Sequence, residues 1–184
     1  TQALNDVRRA MLDHFSQQGE YGDAALAFVA ITDPDPAQDP HPTPHIGDAL
    51  EGLRSAGVRI GIICDVGLTP SRTLRRYLEG HGLLGYFDHW SFSDEVGTFK
   101  PDPAIFDHAL TGLGGIDPAD AAHVGDLRRT DIAGANAQGL DSLFIAAGIH
   151  GEALWTSGKL DPAKVDAALA AENVRATYAM VALA

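Results

Sequence analysis

The stretch from residue 121 to residue 135 constrains the fold of this chain more than any other. A short apolar run leads into Gly125 and Asp126, and a segment of helical character follows. Such a run is typical of a buried parallel strand that ends in a tight turn, because glycine relieves the steric limits of the turn. Thr130 is then predicted as the N-cap of a helix that ends at Gly139.

Two carboxylates, Asp126 and Asp131, fall beside this predicted turn. Ligands of open α/β sheets bind at the carboxyl ends of the strands, and a fixed pair of carboxylates there suits Mg²⁺. A second interpretation is equally open from this stretch alone. Asp126 would then cap a turn, and Asp131 would complement only the dipole of the helix.

Strands and helices alternate along the rest of the chain. Helices are predicted at 46–56, 72–81, 103–113 and 162–171, and strands at 58–64, 90–92, 121–125 and 143–145. The apolar tail 176–184 is predicted as a final strand or a packed segment. Alternation of this kind predicts βαβ units with right-handed crossovers. The fold class is therefore α/β, a three-layer α/β/α Rossmann-like parallel sheet.

Charge and cysteine content limit the partners. The formal net charge of −12 argues against nucleic acid or an anionic membrane as a partner. Apolar runs stay well below the roughly 18 residues of a membrane span. The single cysteine, Cys64, fits a reducing compartment, so a cytoplasmic location is predicted. His41 and His45 lie close together, but no second cluster at ligand spacing accompanies them, so zinc is not predicted.

Chemically useful side chains follow three of the predicted elements. Cys64 and Asp65 end the first clear strand, Lys100 precedes a helix that starts with proline, and Asp126 and Asp131 form the third group. Because parallel strands end along one edge of a sheet, all three groups are expected at one pocket. A phosphoryl group needs positive charge, a bridging metal and hydrogen-bond donors, which this set could supply.

Three segments resemble motifs two, three and four of the haloacid dehalogenase (HAD) superfamily in order and spacing. They are 61–65, 100–106 and 123–135. Most members are Mg²⁺-dependent phosphatases, so the resemblance implies a hydrolase acting on a small phosphorylated substrate. It also implies that Asp126 binds Mg²⁺ directly and that Asp131 supports the ion. Lys100 would neutralise the phosphoryl group and the attacking carboxylate.

The resemblance places Cys64 and Asp65 in the phosphate-binding loop, where this chain departs from the family. The family usually has Ser or Thr followed by Asn at these positions. A thiol is a weak hydrogen-bond donor, and Asp65 would repel phosphate where an amide would not. The metal or Lys100 would have to offset that repulsion.

The first motif of the family, which supplies the attacking aspartate, has no clean copy here, and two explanations stay open. In the favoured one, the chain is part of a longer protein, and residues 1–43 are a partial helical cap with a proline-rich linker, followed by the core at 44–184. In the other, segment 24–32 is the central strand, and Asp33 and Asp35 form a degenerate first motif. An inactive binding or interaction module is the alternative function.

Overall fold

The computed structural model describes residues 42–67, 69–147 and 151–181. Helices and strands alternate through these ranges. The helices are α1 (Ile46–Ser55), α2 (Ser71–Gly80), α3 (Ser93–Val96), α4 (Pro103–Gly112), α5 (Ala133–Gln138) and α6 (Pro162–Ala171). The strands are β1 (Gly61–Cys64), β2 (His89–Phe92), β3 (Ala122–Gly125), β4 (Asp141–Ile145), β5 (Trp155–Thr156), β6 (Lys159–Leu160) and β7 (Tyr178–Met180).

The longer strands pair in parallel, as the alternation of elements predicts. β1 pairs with β2, with Cys64 opposite Phe92, and β3 pairs with β4, with Gly125 opposite Phe144. β7 adds to the far side of β4. Among the described strands, β1 and β3 are each paired along one edge only. The parallel α/β architecture is confirmed, and it gathers the carboxyl ends of the strands on one side.

Helix α4 connects the two groups of strands. It packs against β1, β2 and α5, and its Ile105 and Phe106 are completely buried. Gly134 of α5 lies so close that a Cβ there would overlap the Phe106 ring. A second buried cluster, which includes Ile132 and Phe144, lies between β4 and α6. The helices thereby hold the strand ends in fixed positions relative to one another.

Helix caps explain where the most accurately predicted helices begin. Asp102 accepts a hydrogen bond from the Ala104 amide and precedes Pro103 at the first position of α4. Asp161 caps α6 in the same way. An aspartate cap satisfies an amide that the helix leaves unpaired, and proline at the first position needs no partner for its nitrogen. The hairpin of β5 and β6 is an element that sequence reasoning missed.

An ion pair fastens α2 to α3. Arg75 binds both carboxylate oxygens of Glu95, and its Nη2 lies 2.9 Å from Oε2. The guanidinium also lies over the rings of Trp90 and Phe92, with its Cζ 5.4 and 4.7 Å from the ring centroids. The hydrogen bond from Arg75 lowers the pKa of Glu95 from its ordinary 4.5 to about 2.

The shift at Glu95 predicts a loss of stability in acid. A carboxylate with a depressed folded pKa stabilises the fold above its unfolded pKa, and this contribution disappears as pH falls from 4.5 through about 2. Because the pair is partly exposed, we expect roughly 0.2–1 kcal/mol. Urea unfolding of the wild type over this pH range should show a steeper loss than Glu95→Gln. Glu79→Gln, an exposed change on α2, should follow the wild type; identical slopes for all three proteins would contradict the assignment.

The predicted N-terminal elements, the proline-rich linker and the Asp33–Asp35 segment lie outside the described residues, except for the end of the linker from residue 42 onward. In the part of the chain that the structure describes, every helix is too short or too polar to cross a membrane.

Candidate active site

The turn after β3 is organised by the Asp131 carboxylate. Its Oδ2 accepts hydrogen bonds from the amides of Asp126 and Leu127, at 3.1 and 2.9 Å. The prediction of Thr130 as an N-cap is wrong, because a π-helical turn from Arg128 to Ile132 precedes α5 and contains that residue. Asp131, which follows the turn in sequence, accepts the hydrogen bonds of the Asp126 and Leu127 amides. The turn therefore needs no cap from Thr130. The predicted end at Gly139 is confirmed, since that residue adopts a left-handed conformation after α5.

A buried ion pair joins Asp131 to Lys100. The Lys100 Nζ donates to Asp131 Oδ1 at 2.7 Å, and the two side chains are only 12% and 5% exposed. The Lys100 amide in turn donates to Asp65 Oδ1 at 2.9 Å, and the peptide bond to Pro101 is cis. One residue thus connects the segment after β1, the approach to α4 and the turn after β3. The three groups of side chains that were expected at one edge do meet there.

His123 is a further participant that sequence reasoning missed. Its side chain is largely buried on β3, and Nε2 donates to Asp131 Oδ1 at 3.4 Å. The edge of its ring contacts Phe106 of α4, with centroids 5.2 Å apart. A histidine on the inward side of an otherwise apolar strand was the available signal, because buried polar side chains need a partner. His123 therefore helps to fix the Asp131 carboxylate.

The hydrogen bonds and the positive charge around Asp131 affect its pKa more than its burial does. Burial alone raises the pKa of this carboxyl, but the hydrogen bond from His123, the charge and hydrogen bond of Lys100, and the Leu127 amide hold it well below the ordinary 3.8. The carboxylate therefore contributes stability above an unfolded pKa of 3.8, and that contribution is lost as the pH falls below it. At neutral pH Asp131 is charged and accepts hydrogen bonds at both oxygens.

Gly125 has no side chain, and the Asp131 side chain occupies the space that a side chain at residue 125 would fill. A Cβ on this glycine would overlap the Cβ, Cγ and Oδ2 of Asp131. The carboxylate can therefore approach the amides of the turn only because residue 125 has no side chain. This close approach explains the glycine of the Gly-Asp pair by packing rather than by an unusual backbone angle.

Cys64 and Asp65 occupy the end of β1. Burial raises the pKa of the Cys64 thiol, and the charge of Lys100 opposes that shift. The thiol is therefore neutral at physiological pH, as a small partly buried side chain would be. Asp65 is exposed, and its Oδ1 holds the backbone of Lys100. A carboxylate at this position thus has a definite structural partner.

Carboxylate side chains, the type of ligand that Mg²⁺ prefers, lie at this edge of the sheet. Residues 42–67, 69–147 and 151–181 contain no group of three His, Cys, Asp or Glu side chains poised around one point. Mg²⁺ does not need such a cage, because it keeps several waters and usually binds one or two carboxylates together with substrate phosphates. The hydrogen bond from the Asp126 amide to Asp131 fixes the backbone position of Asp126 in the turn.

Comparison with known proteins adds an independent line of information. A family model described as haloacid dehalogenase-like hydrolase matches residues 8–139. The chain is 38% identical over 97 residues to the haloacid dehalogenase-like hydrolase domain-containing protein 3 of Bos taurus, covering 53% of this chain and 37% of that protein. It is 37% identical over 106 residues to the pyrimidine 5′-nucleotidase YjjG of Escherichia coli, covering 58% of this chain and 45% of that protein. The chain thus spans less than half the length of these relatives.

Solved structures agree with the parallel α/β architecture. The HAD phosphatase of Thermococcus onnurineus superposes with a TM-score of 0.55 at 28% identity, covering 75% of this chain and 53% of that one. A dehalogenase superposes with a TM-score of 0.57 at 21% identity over 76% of this chain and 52% of its own, and at that identity the likeness concerns the fold alone.

Proposed function

The chain belongs to the haloacid dehalogenase-like hydrolase family, and from this premise we propose that its protein hydrolyses a small phosphate monoester with Mg²⁺ as cofactor. The observation that carries the proposal is the buried Lys100–Asp131 ion pair beside the Asp126 turn. It supplies a positive charge next to a rigid acidic turn where strands end, and phosphoryl transfer depends on such positioned charges.

Lys100 acts on the phosphoryl group. Its ammonium is held by Asp131, so it is oriented before any substrate arrives and costs little to reorganise. A fixed cation lowers the energy of the negative oxygens that develop during transfer. The same charge offsets the repulsion between phosphate and Asp65, which this chain has in place of an amide. Cys64 contributes a small neutral side chain to the phosphate-binding loop.

Asp126 binds the metal directly, and Asp131 fixes the position of Asp126 through its backbone amide. Asp126 would provide a carboxylate oxygen to Mg²⁺, and the ion, when bound, supplies positive charge for the phosphate oxygens. Both oxygens of Asp131 already accept hydrogen bonds, from Lys100 and His123 on one side and from two amides on the other. Asp131 therefore fixes the positions of the turn and of the lysine, and Asp126 is assigned as the direct ligand.

The attacking carboxylate has two candidates, and the proposal holds for either. Asp33 is the first acid of a degenerate motif within this chain, and the alternative is an aspartate that precedes Thr1 in a longer protein. In both cases the carboxylate attacks phosphorus to form an aspartyl-phosphate as the phosphorus–oxygen bond to the alcohol breaks, and the second acid of the motif gives the leaving oxygen its proton. Water, deprotonated by the same acid, then hydrolyses the aspartyl-phosphate, which releases phosphate and restores the carboxylate. The role of Lys100 is to reduce the repulsion between this carboxylate and the phosphoryl oxygens.

The names of relatives favour a phosphate ester over a haloacid as substrate. One curated relative is a pyrimidine 5′-nucleotidase, and a solved structure of the same fold is a HAD phosphatase. Both names denote release of phosphate from a monoester. A phosphate substrate also agrees with the lysine at the strand ends, since the chain as a whole is strongly acidic and must attract anions locally.

Hydrolysis of p-nitrophenyl phosphate tests the proposal. The protein should release phosphate in the presence of Mg²⁺ and not in EDTA, and Asp126→Asn should lower the rate about 10²–10³-fold, as loss of a group that holds transition-state charge does. Asp120→Asn, at the other end of β3, should leave the rate unchanged. Asp33→Asn then distinguishes the two candidate nucleophiles. Turnover that needs no metal, or that persists in Asp126→Asn, would contradict the proposal.

A further inference from the structure

One oxygen of the Asp131 carboxylate has two side-chain donors. Oδ1 lies 2.7 Å from the Lys100 Nζ and 3.4 Å from the His123 Nε2. The other oxygen, Oδ2, accepts the backbone amides of Asp126 and Leu127. The lysine and the histidine therefore share one oxygen, while the turn after β3 uses the other.

The chemistry of the acceptor fixes the role of the His123 nitrogen. Asp131 is ionised at neutral pH, and an ionised carboxylate can only accept hydrogen bonds. The Nε2 atom of His123 must therefore carry a hydrogen and donate it. A neutral imidazole with its proton on Nε2 does this as well as a charged one, so the role does not require a change in the charge of His123.

The packing of α4 on α5 holds the His123 ring in place. His123 is 9% exposed, and its ring meets the completely buried Phe106 ring at 70°, with the centroids 5.2 Å apart. The Phe106 ring in turn fills the space that a Cβ on Gly134 would need. The histidine is thus enclosed by core residues, and its donor is positioned before any substrate binds.

Sharing Oδ1 affects the charge that Lys100 can offer to an anion. The imidazole N–H has a partial positive charge, which offsets part of the negative charge on the Asp131 oxygen. Asp131 therefore neutralises the ammonium less completely than a carboxylate with Lys100 as its sole donor would. A lysine ammonium has three hydrogens to donate, and one of them is directed to Asp131.

We propose that His123 is a positioning residue for Lys100, which acts through Asp131 and does not touch the substrate. By holding Oδ1, His123 keeps the ion pair from drawing the ammonium fully onto Asp131, and the lysine keeps more of its charge for the phosphoryl group. The inference rests on the proposed function, because that function assigns the phosphoryl group to Lys100. Loss of the His123 donor should therefore weaken phosphate binding even where the fold is retained.

Two polar substitutions at residue 123 separate this role from a purely structural one. Glutamine places its side-chain nitrogen near the position of the imidazole Nε2, whereas the shorter asparagine places its nitrogen near Nδ1, out of reach of Asp131. Calorimetric titration with inorganic phosphate in Mg²⁺ should show a loss of affinity of about tenfold in His123→Asn, of the order expected when one hydrogen bond to a charged group is lost. His123→Gln should recover most of that loss.

His123→Leu, which keeps the apolar contact with Phe106, should lose as much phosphate affinity as His123→Asn and replaces it if the asparagine variant does not fold. His45→Gln is the control, because His45 is an exposed histidine at the start of α1, and it should bind phosphate as the wild type does. Hydrolysis of p-nitrophenyl phosphate should follow the same order, with kcat/KM reduced in His123→Asn and largely restored in His123→Gln.

Wild-type phosphate affinity in both His123→Asn and His123→Leu would overturn the inference and leave the proposed function intact. Equal losses in His123→Gln and His123→Asn would also overturn it, because packing and not the hydrogen bond would then be responsible. If the wild type itself bound no phosphate in Mg²⁺, the proposed function would fail together with the inference.

Discussion

Lys100→Met lowers the free energy of unfolding by about 3–5 kcal/mol, the cost of leaving one partner of a buried ion pair without its counter-charge. The Asp131 carboxylate would stay buried with the hydrogen bonds from His123 and two amides, but without the ammonium. Its pKa should rise towards or above the unfolded value of 3.8, so the variant should lose less stability than the wild type as the solution is acidified. Urea unfolding at neutral and acidic pH measures both effects.

Lys159→Met is the matched control for this change. Lys159 is exposed on β6, so the same substitution there should alter stability by about 0.5 kcal/mol or less. The double variant Lys100→Met with Asp131→Asn should be more stable than the sum of the single losses predicts, because the unpaired charge is gone. Equal losses for Lys100→Met and Lys159→Met would show that the ion pair contributes nothing.

Gly125→Ala should destabilise the protein by about 2–4 kcal/mol, because one methyl group would displace a carboxylate that four donors hold. The added Cβ overlaps Asp131, so the hydrogen bonds to the turn and the contact with Lys100 cannot all survive. We expect the affinity for Mg²⁺ to fall as well, since the Asp126 amide loses its partner. Urea unfolding and Mg²⁺ titration of this variant measure the two consequences.

Gly52→Ala provides a control with the opposite sign. Gly52 lies within α1, and a Cβ there meets no other atom within 4 Å. Alanine should therefore stabilise the helix by about 0.5–1 kcal/mol. If Gly125→Ala were also neutral or stabilising, the close packing of Asp131 on Gly125 would not be essential to the turn.

The sequence carries most of the information about the elements and much less about their contacts. Local signals locate α4 and α6, because an aspartate followed by proline satisfies the start of a helix without tertiary help. They fail at the turn after β3, because the backbone amides there donate to the later residue Asp131 and not to Thr130. A cap of that kind depends on a π-helical turn, which no propensity scale anticipates.

The same limit applies to the predicted site residues: the sequence indicates which of them lie together but not which contacts they make. The spacing of the strand ends is enough to predict that Lys100, Asp65 and the Asp126 turn share one edge. It does not reveal that Asp65 holds the Lys100 backbone, which depends on the exact positions of two loops. His123 was also missed, because a histidine in a short strand is compatible with many environments until its partner is known.

The departure of Asp65 from the family pattern has a physical explanation in these contacts. The hydrogen bond from the Lys100 amide partly offsets the negative charge of the Asp65 carboxylate. The Lys100 ammonium, in turn, is neutralised on one side by Asp131. We therefore expect the binding of phosphate at this edge of the sheet to be sensitive to Mg²⁺.

Calorimetric titration of the protein with inorganic phosphate, in the presence and absence of Mg²⁺, tests most directly whether Lys100 and Asp126 together hold a metal and a phosphoryl group. We expect phosphate to bind in Mg²⁺, to bind at least about tenfold more weakly in EDTA, and to lose the Mg²⁺ dependence in Asp126→Asn. Equal affinity for phosphate with and without Mg²⁺, or an unchanged Mg²⁺ dependence in Asp126→Asn, would contradict the assignment of this edge as the reaction centre.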